Sequence, residues 1–195
     1  MVVPLILESV IASFGEAYPE IELEIAASEE LVDLAAQGFD AGIRLGQFIA
    51  ADMVAVRLTP PFPLVVVGSP DYLDLRKPPE CIDDLRHHAC LRMRRTNGSI
   101  APWPFVEGNK AVEVIVTGPL ITHDYPTLLA AAIRGVGLTQ LPGPLVKTPI
   151  ADGRLQALLV PFAVTTPGVF LYYPSRRQVL PKLRAFIEHV KYQGG

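Results

Sequence analysis

Two cysteines in 195 residues, Cys81 and Cys90, are too few to staple a secreted scaffold. No apolar run reaches the roughly 18 to 20 residues that a membrane span requires. The opening Met1-Val2-Val3-Pro4-Leu5-Ile6-Leu7-Glu8 lacks a basic start and meets a carboxylate early, so it does not read as a signal peptide. A cytoplasmic protein is expected. Positive charge is also short: 17 Lys and Arg against 20 Asp and Glu leave a formal charge of -3, which argues against a surface built to replace phosphate counterions. Arg92, Arg94 and Arg95 cluster, but between predicted strands they read as a solvated loop. Catalytic signatures are missing as well: no G-x-S-x-G, no phosphate loop and no H-E-x-x-H. Gly135-Val136-Gly137 is a helix-to-strand turn and carries too little of the dinucleotide fingerprint. His87, His88, Cys90 and Cys81 fit neither a zinc ribbon nor a zinc finger, so packing is expected there and neither metal nor cofactor.

What is present is apolar material, half of all residues, ample for a core. It is organised around LVDLAAQGFDAGIRLG, from Leu31 to Gly46. Leu31, Leu34 and Ala35 mark one helix face, and Gly38 stands where a left-handed cap is wanted. Residues 41–45 then read as a short buried strand closed by Gly46. Before this stretch, residues 4–18 read as a helix ended by Pro19, and residues 21–25 alternate at period two as a half-buried strand. After it, strands are expected at 53–58, 64–67, 90–93, 103–106, 111–117, 120–122, 137–141, 155–159 and 169–173. Helical pieces are expected at 71–75, 82–87, 126–134, 142–150 and 180–192.

The stretch VDLAAQGFDAGIRLG resembles the signature of the effector-binding domain of LysR-type bacterial transcription regulators. The likeness continues in Tyr18-Pro19-Glu20-Ile21, Ser69-Pro70-Asp71-Tyr72-Leu73, Asp84-Leu85-Arg86-His87-His88-Ala89-Cys90-Leu91, Trp103-Pro104-Phe105 and Ala130 to Pro142. It ends with Asp152-Gly153-Arg154-Leu155 and Leu180-Pro181-Lys182-Leu183. The order and spacing of these pieces carry the resemblance. It implies an α/β fold of two Rossmann-like lobes joined by two crossing strands, a periplasmic-binding-protein-like (type 2) clamp. Lobe I would comprise residues 1–68 and 165–195, and lobe II residues 69–164. A winged helix-turn-helix, its linker helix and the strand that precedes the first helix in that family have no counterpart in this sequence. DNA is therefore expected to be bound only through a winged helix-turn-helix that this chain does not contain.

The clamp implies a cleft where strand ends converge. Arg44, Leu45, Gly46 and Gln47 would face it from the first lobe, with Arg44 suited to an effector carboxylate. Ser69 at the hinge and Gln140 and Pro142 at a second strand end would complete the ring. His123, Asp124 and Tyr125 precede a helix whose first N–H groups suit an anion, although Asp124 reads more simply as an N-cap. His123 would lend pH dependence. Gly46→Val is expected to block binding with little loss of folding.

The reading is a co-inducer-binding and dimerisation domain that takes a small, acidic organic effector. A free-standing solute-binding protein of the periplasmic type is the alternative, and an enzyme of the same fold lacks a catalytic constellation. The resemblance also implies a homodimer, pairing helix 4–18 of one chain with helix 126–134 of its partner, with Ala131 at the centre of the seam.

Overall fold

The computed structural model describes residues 8–26, 34, 36–46, 49–50, 52–174 and 179–193. The chain opens with α1 (Glu8–Ala17), β1 (Gly42–Leu45) and β2 (Met53–Arg57). Next come β3 (Phe62–Gly68), α2 (Pro70–Asp74), a 3-10 turn over Ile82–His87, β4 (Arg92–Met93), β5 (Trp103–Glu107), β6 (Lys110–Val114) and β7 (Ile121–Thr122). Then follow α3 (Tyr125–Ile133), β8 (Thr139–Pro142), α4 (Gly143–Ala151), β9 (Gln156–Leu158), β10 (Thr165–Thr166), β11 (Val169–Pro174) and α5 (Pro181–Gln193). Internal contacts divide the chain into unit 1, residues 1–61 and 166–195, and unit 2, residues 62–165.

Unit 2 is built on strands buried on both faces. β3 pairs antiparallel with β8 on one side and with β9 and β10 on the other. Adjacent residues of β3 enter different cores: Val66 packs with Tyr72, Leu85, Cys90, Phe105 and Leu138, and Val67 with Leu91, Leu128, Ala132, Leu141 and Val146. Strand side chains alternate, so a sheet covered on both sides needs an unbroken apolar run, which Leu64-Val65-Val66-Val67 supplies. The sheet continues from β8 to β4 and β7, because Leu91 N–H donates to the Leu138 carbonyl at 2.7 Å and β4 pairs parallel with β7. The β5–β6 hairpin lies over the first core through Trp103 and Phe105. Residues 62–68, expected at the end of lobe I, thus pair within unit 2.

Unit 1 holds a three-stranded antiparallel sheet in the order β1-β11-β2. Val169 and Leu171, both fully buried, alternate with Phe170 and Tyr172 along its central strand. In the same unit, α1 meets α5 through rings: Phe14 stacks edge-on to Phe186 at 5.2 Å and lies 5.0 Å from Tyr18. Ser13 Oγ also bonds His189 Nε2 at 2.9 Å. Gly38 takes the left-handed conformation in a turn: its φ is +78°, and Phe39 N–H reaches back to the Leu34 carbonyl at 2.9 Å. Most of the helix expected at residues 31–35 lies outside the described residues, as do residues 1–7 of the first helix.

One expected strand is not formed. Residues 21–26 have no strand pairing, and Leu23 and Ile25 are 37% and 42% exposed. Alternation gives a segment one apolar face, but a strand also needs a ladder partner for its N–H and C=O groups, and no described strand offers one.

The double-sided core sets a contrast in stability. Leu141 has no exposed surface and Leu75 is 80% exposed. Leu141→Ala is expected to cost about 2–5 kcal/mol through lost transfer energy and a cavity. Leu75→Ala should stay within about 0.5 kcal/mol. Urea denaturation of both variants checks the pair; equal costs would mean that the sheet is not buried on both faces.

Candidate functional site

Three strands of unit 2 finish on one edge of its sheet. β4 and β7 run parallel, with Arg92 opposite Ile121 and Met93 opposite Thr122, and β8 runs the same way through the parallel bridge between Cys90 and Leu138. Their ends bring Arg94, His123 and Pro142 to that edge. β3 is antiparallel to β8, so the chain enters unit 2 there too, with Leu64 opposite Pro142. Backbone bonds order the rim: Arg94 N–H donates to the Thr122 carbonyl at 2.7 Å, and Ala101 N–H to the Met93 carbonyl at 2.9 Å. Arg94 also donates from Nη1 to the Gly98 carbonyl at 2.7 Å.

His123 is exposed on this rim. Asp124 caps α3: Oδ1 accepts from Thr127 N–H at 2.8 Å, and Oδ2 from the Thr122 hydroxyl at 2.8 Å. These donors, Thr127 N–H foremost, hold its carboxyl below the ordinary aspartate range. The first turn of α3 consequently offers less to an anion than the sequence implied. Thr127 N–H is spent on Asp124, and Pro126 has none. Tyr125, half-buried, packs against the core that contains Leu128. Gln140 donates from Nε2 to the Pro104 carbonyl at 2.9 Å, tying β8 to the β5 strand, and buried Pro142 opens α4.

Ser69 does not join them. It follows the carboxyl end of β3, and antiparallel pairing puts that end opposite the start of β8, away from Pro142. It is only 2% exposed, and its Oγ accepts from Tyr72 N–H at 3.3 Å as the N-cap of α2.

In unit 1, Arg44 and Leu45 lie on β1 opposite Phe170 and Val169 of β11. Gly46 N–H donates to the Gly168 carbonyl at 3.1 Å, and Gln47 lies outside the described residues. A Cβ at Gly46 would stand 2.6 Å from the Phe170 ring. Gly46→Val would therefore have to displace that ring. Sequence reasoning passed over Arg57 and Phe170. Phe170 is opposite both Arg44 and Arg57, and the Arg57 guanidinium lies 4.5 Å from its ring centre. The period-two pattern of Val169-Phe170-Leu171-Tyr172 already put the two rings on one face; only the register shows the arginines beside them.

The His and Cys side chains near residue 88 are absorbed by packing. Tyr72 Oη accepts from Ala89 N–H at 2.9 Å and shares a hydrogen bond of 3.2 Å with His88 Nδ1. Burial lowers the His88 pKa and pushes the Cys90 thiol up to about 12. Two shallow hollows lie elsewhere, one of about 460 Å³ beside Tyr18, Leu180 and Arg184 and one of about 220 Å³ beside Leu85, Arg86 and Ile115. Neither includes an expected site residue.

The cap makes a pH-dependent test. The folded Asp124 pKa is depressed, so its contribution is complete above the unfolded value of about 3.9 and is lost as pH falls through the folded value. Asp124→Ala should cost about 1 kcal/mol at pH 7. The gap between variant and parent should close in acid. Thermal melts across pH check this, and a gap that widens in acid would contradict the cap.

The LysR substrate binding domain family model matches residues 1–194. The chain is 34% identical over 190 residues to the HTH-type transcriptional regulator PgrR of Escherichia coli, covering 97% of this chain and 64% of that protein. It is 30% identical over 186 residues to the HTH-type transcriptional regulator PtxR of Pseudomonas aeruginosa, covering 95% of this chain and 59% of that protein. The chain thus spans about three fifths of the length of these curated relatives. Among solved structures, the regulatory domain of CrgA, a LysR-type regulator from Neisseria meningitidis, superposes with a TM-score of 0.83 at 26% identity, covering 100% of this chain and 94% of that one. The regulatory domain of AphB from Vibrio vulnificus gives a TM-score of 0.79 at 21% identity, covering 98% and 93%, and speaks for the fold. The fold is accordingly the periplasmic-binding-protein-like type 2 class, and the matches are to regulators rather than to free-standing solute-binding proteins. The chain belongs to the LysR substrate-binding domain family, the effector-binding regulatory domains of LysR-type transcription regulators.

Proposed function

We propose that this regulatory domain senses a small organic acid, without turning it over, and passes the signal to DNA through a winged helix-turn-helix of the full regulator in the cytoplasm. The observation that supports it is the shared carboxyl edge of β4, β7 and β8, which brings Arg94 and His123 to the rim beside Gln140 and Pro142. Ligands of open α/β sheets bind outside such edges. Of the residues expected to touch the effector, His123 and Gln140 are retained, Asp124 and Tyr125 act mainly by shaping the start of α3, and Ser69 drops out.

Thermal-shift screening against organic acids and their neutral amides tests this reading. A ligand at one hundred times its Kd adds about 2.7 kcal/mol, a rise of roughly 5–10 °C for a chain of this size. An acid should raise the melting temperature, and His123→Ala should reduce the rise. Stabilisation by amides and not by acids would overturn the acidic effector.

We also propose a two-fold homodimer through α1 and α3. Its support is apolar surface left open: Ile11, Leu23 and Ile25 in unit 1 and Val136 in unit 2 are each 37–42% exposed. Ala131 packs toward the core of unit 2, whereas Ala130 is exposed, so the centre of the seam moves to Ala130. Ala130→Glu should split the dimer by burying an unpaired carboxylate, a cost of roughly several kcal/mol. Light scattering decides: a monomeric parent, or an Ala130→Glu variant that stays dimeric, contradicts the interface.

A further inference from the structure

We infer that Tyr72, His88 and the Ala89 amide form a latch at the amino end of β4 that opens in mild acid, when the His88 ring takes up a proton. Ala89 immediately precedes the parallel bridge between Cys90 and Leu138. Its carbonyl accepts from Leu138 N–H at 2.8 Å, and a Cβ at Gly137 would collide with that carbonyl, so the chain is held close to the start of β8. The Ala89 N–H turns to a side chain instead. It donates at 2.9 Å to the phenol oxygen of Tyr72, on α2 and 17 residues earlier. One phenol thereby ties α2 to the edge of the sheet. Tyr72 is 2% exposed and His88 7%, and their rings lie 5.9 Å apart.

Hydrogen-bond counting at that oxygen makes the latch depend on His88. Tyr72 Oη takes the Ala89 N–H and also meets His88 Nδ1 at 3.2 Å. Neutral His88 with its proton on Nε2 offers Nδ1 as an acceptor, so the phenol donates once and accepts once. The imidazolium has no acceptor. Two N–H donors then converge on the phenol oxygen, whose own proton loses its partner, and an unpaired buried donor is costly. The surroundings oppose the charge as well. Just past α2, the Arg76 guanidinium lies 4.6 Å from the centre of the Tyr72 ring. His87 of the 3-10 turn adds repulsion, Asp84 of the same turn pulls the other way, and the Cys90 thiol, pushed up to about 12, stays neutral. Burial foremost, then Arg76, lowers the His88 pKa. A base depressed in this way stabilises the fold in full above its unfolded value of about 6.5. That contribution is lost as pH falls through the unfolded value toward the folded one. The latch is closed at neutral pH and weakens below it.

The test follows the His88 ring and the Ala89 amide of the isotope-labelled chain by NMR from about pH 7.5 to 5. Ring nitrogen shifts should place the neutral proton on Nε2. Ala89 protection against hydrogen exchange, corrected for the intrinsic rate, should fall about tenfold or more along the His88 titration curve. Leu91, whose N–H donates to the Leu138 carbonyl at 2.7 Å, should keep its protection, which separates local release from unfolding of the whole unit. Tyr72→Phe, which keeps the ring and removes the oxygen, should expose the Ala89 amide at every pH. His88→Gln should abolish the pH dependence, and Arg76→Gln should move its midpoint to higher pH. His87→Gln, at an exposed ring that accepts from Arg86 Nε, should retain the dependence. Level Ala89 protection while His88 titrates, a neutral proton on Nδ1, or a pH dependence that survives in His88→Gln overturns the latch. A His88 ring that stays neutral until the whole chain unfolds overturns it too. Should Tyr72→Phe prove unfolded by circular dichroism, the parent titration and Arg76→Gln decide.

Discussion

The pairing of β3 with β8 is the constraint on which unit 2 depends. It joins a strand running into the unit to one that runs parallel with β4 and β7, so it fixes which end of every strand meets which edge. The pairing is strongly specified because both faces are buried. A slip by one residue would exchange Val66 and Val67 between two differently shaped cores. Once the register is locked, His123 and Pro142 share an edge, and Ser69 is carried to the opposite one. A side chain that looks well placed in a linear reading is removed from the site by strand direction alone.

Unit 1 solves a different problem, since its sheet has one well-covered face and one that carries aromatics and cations. Phe170 and Tyr172 lie over glycines, which lets large rings sit close to the backbone where any side chain would push them out. Close to the same row, Gly168 adopts a φ of +92°, and a Cβ there would stand 2.6 Å from the Thr59 carbonyl oxygen. Leu58 N–H and Thr59 N–H both turn to the Val169 carbonyl, at 2.8 and 3.3 Å, while Thr59 Oγ1 accepts from Val169 N–H at 2.9 Å. The start of β11 is thus tied to the chain that follows β2, and the direction of Phe170 is fixed by that lacing as much as by the sheet.

Much of this was legible before any coordinates. Period-two and helical spacing located nearly every element of unit 2, and Gly38 announced the turn that its φ of +78° allows. Asp124 read correctly as an N-cap because its chemistry is local, three residues from the N–H that it accepts. Long-range facts were not legible. Residues 21–25 have a strand's alternation, yet pairing depends on a partner elsewhere in the chain. Arg57 escaped notice because nothing near it in sequence hints at Phe170, which is 113 positions further on and becomes its neighbour only through the β11–β2 register. Ala130 and Ala131 are indistinguishable by composition; their difference is the rotation of one helix on its core.

The polar groups of the described chain divide by use. Ser69, Asp124 and Tyr72 satisfy backbone donors and cap helices, so their hydrogen-bonding capacity is consumed by folding. Carboxylates such as Glu80, Asp152 and Asp40 hold nearby lysines or arginines. Arg44, Arg57, Arg76, Arg92 and Arg94 instead touch aromatic rings or carbonyls, which orient a guanidinium without neutralising it. A chain that is acidic in sum therefore keeps oriented positive charge at several places among the described residues. For a small anion that distribution matters more than net charge, because within a Debye length of roughly 8–10 Å the local cations govern its energy and the remote carboxylates are screened.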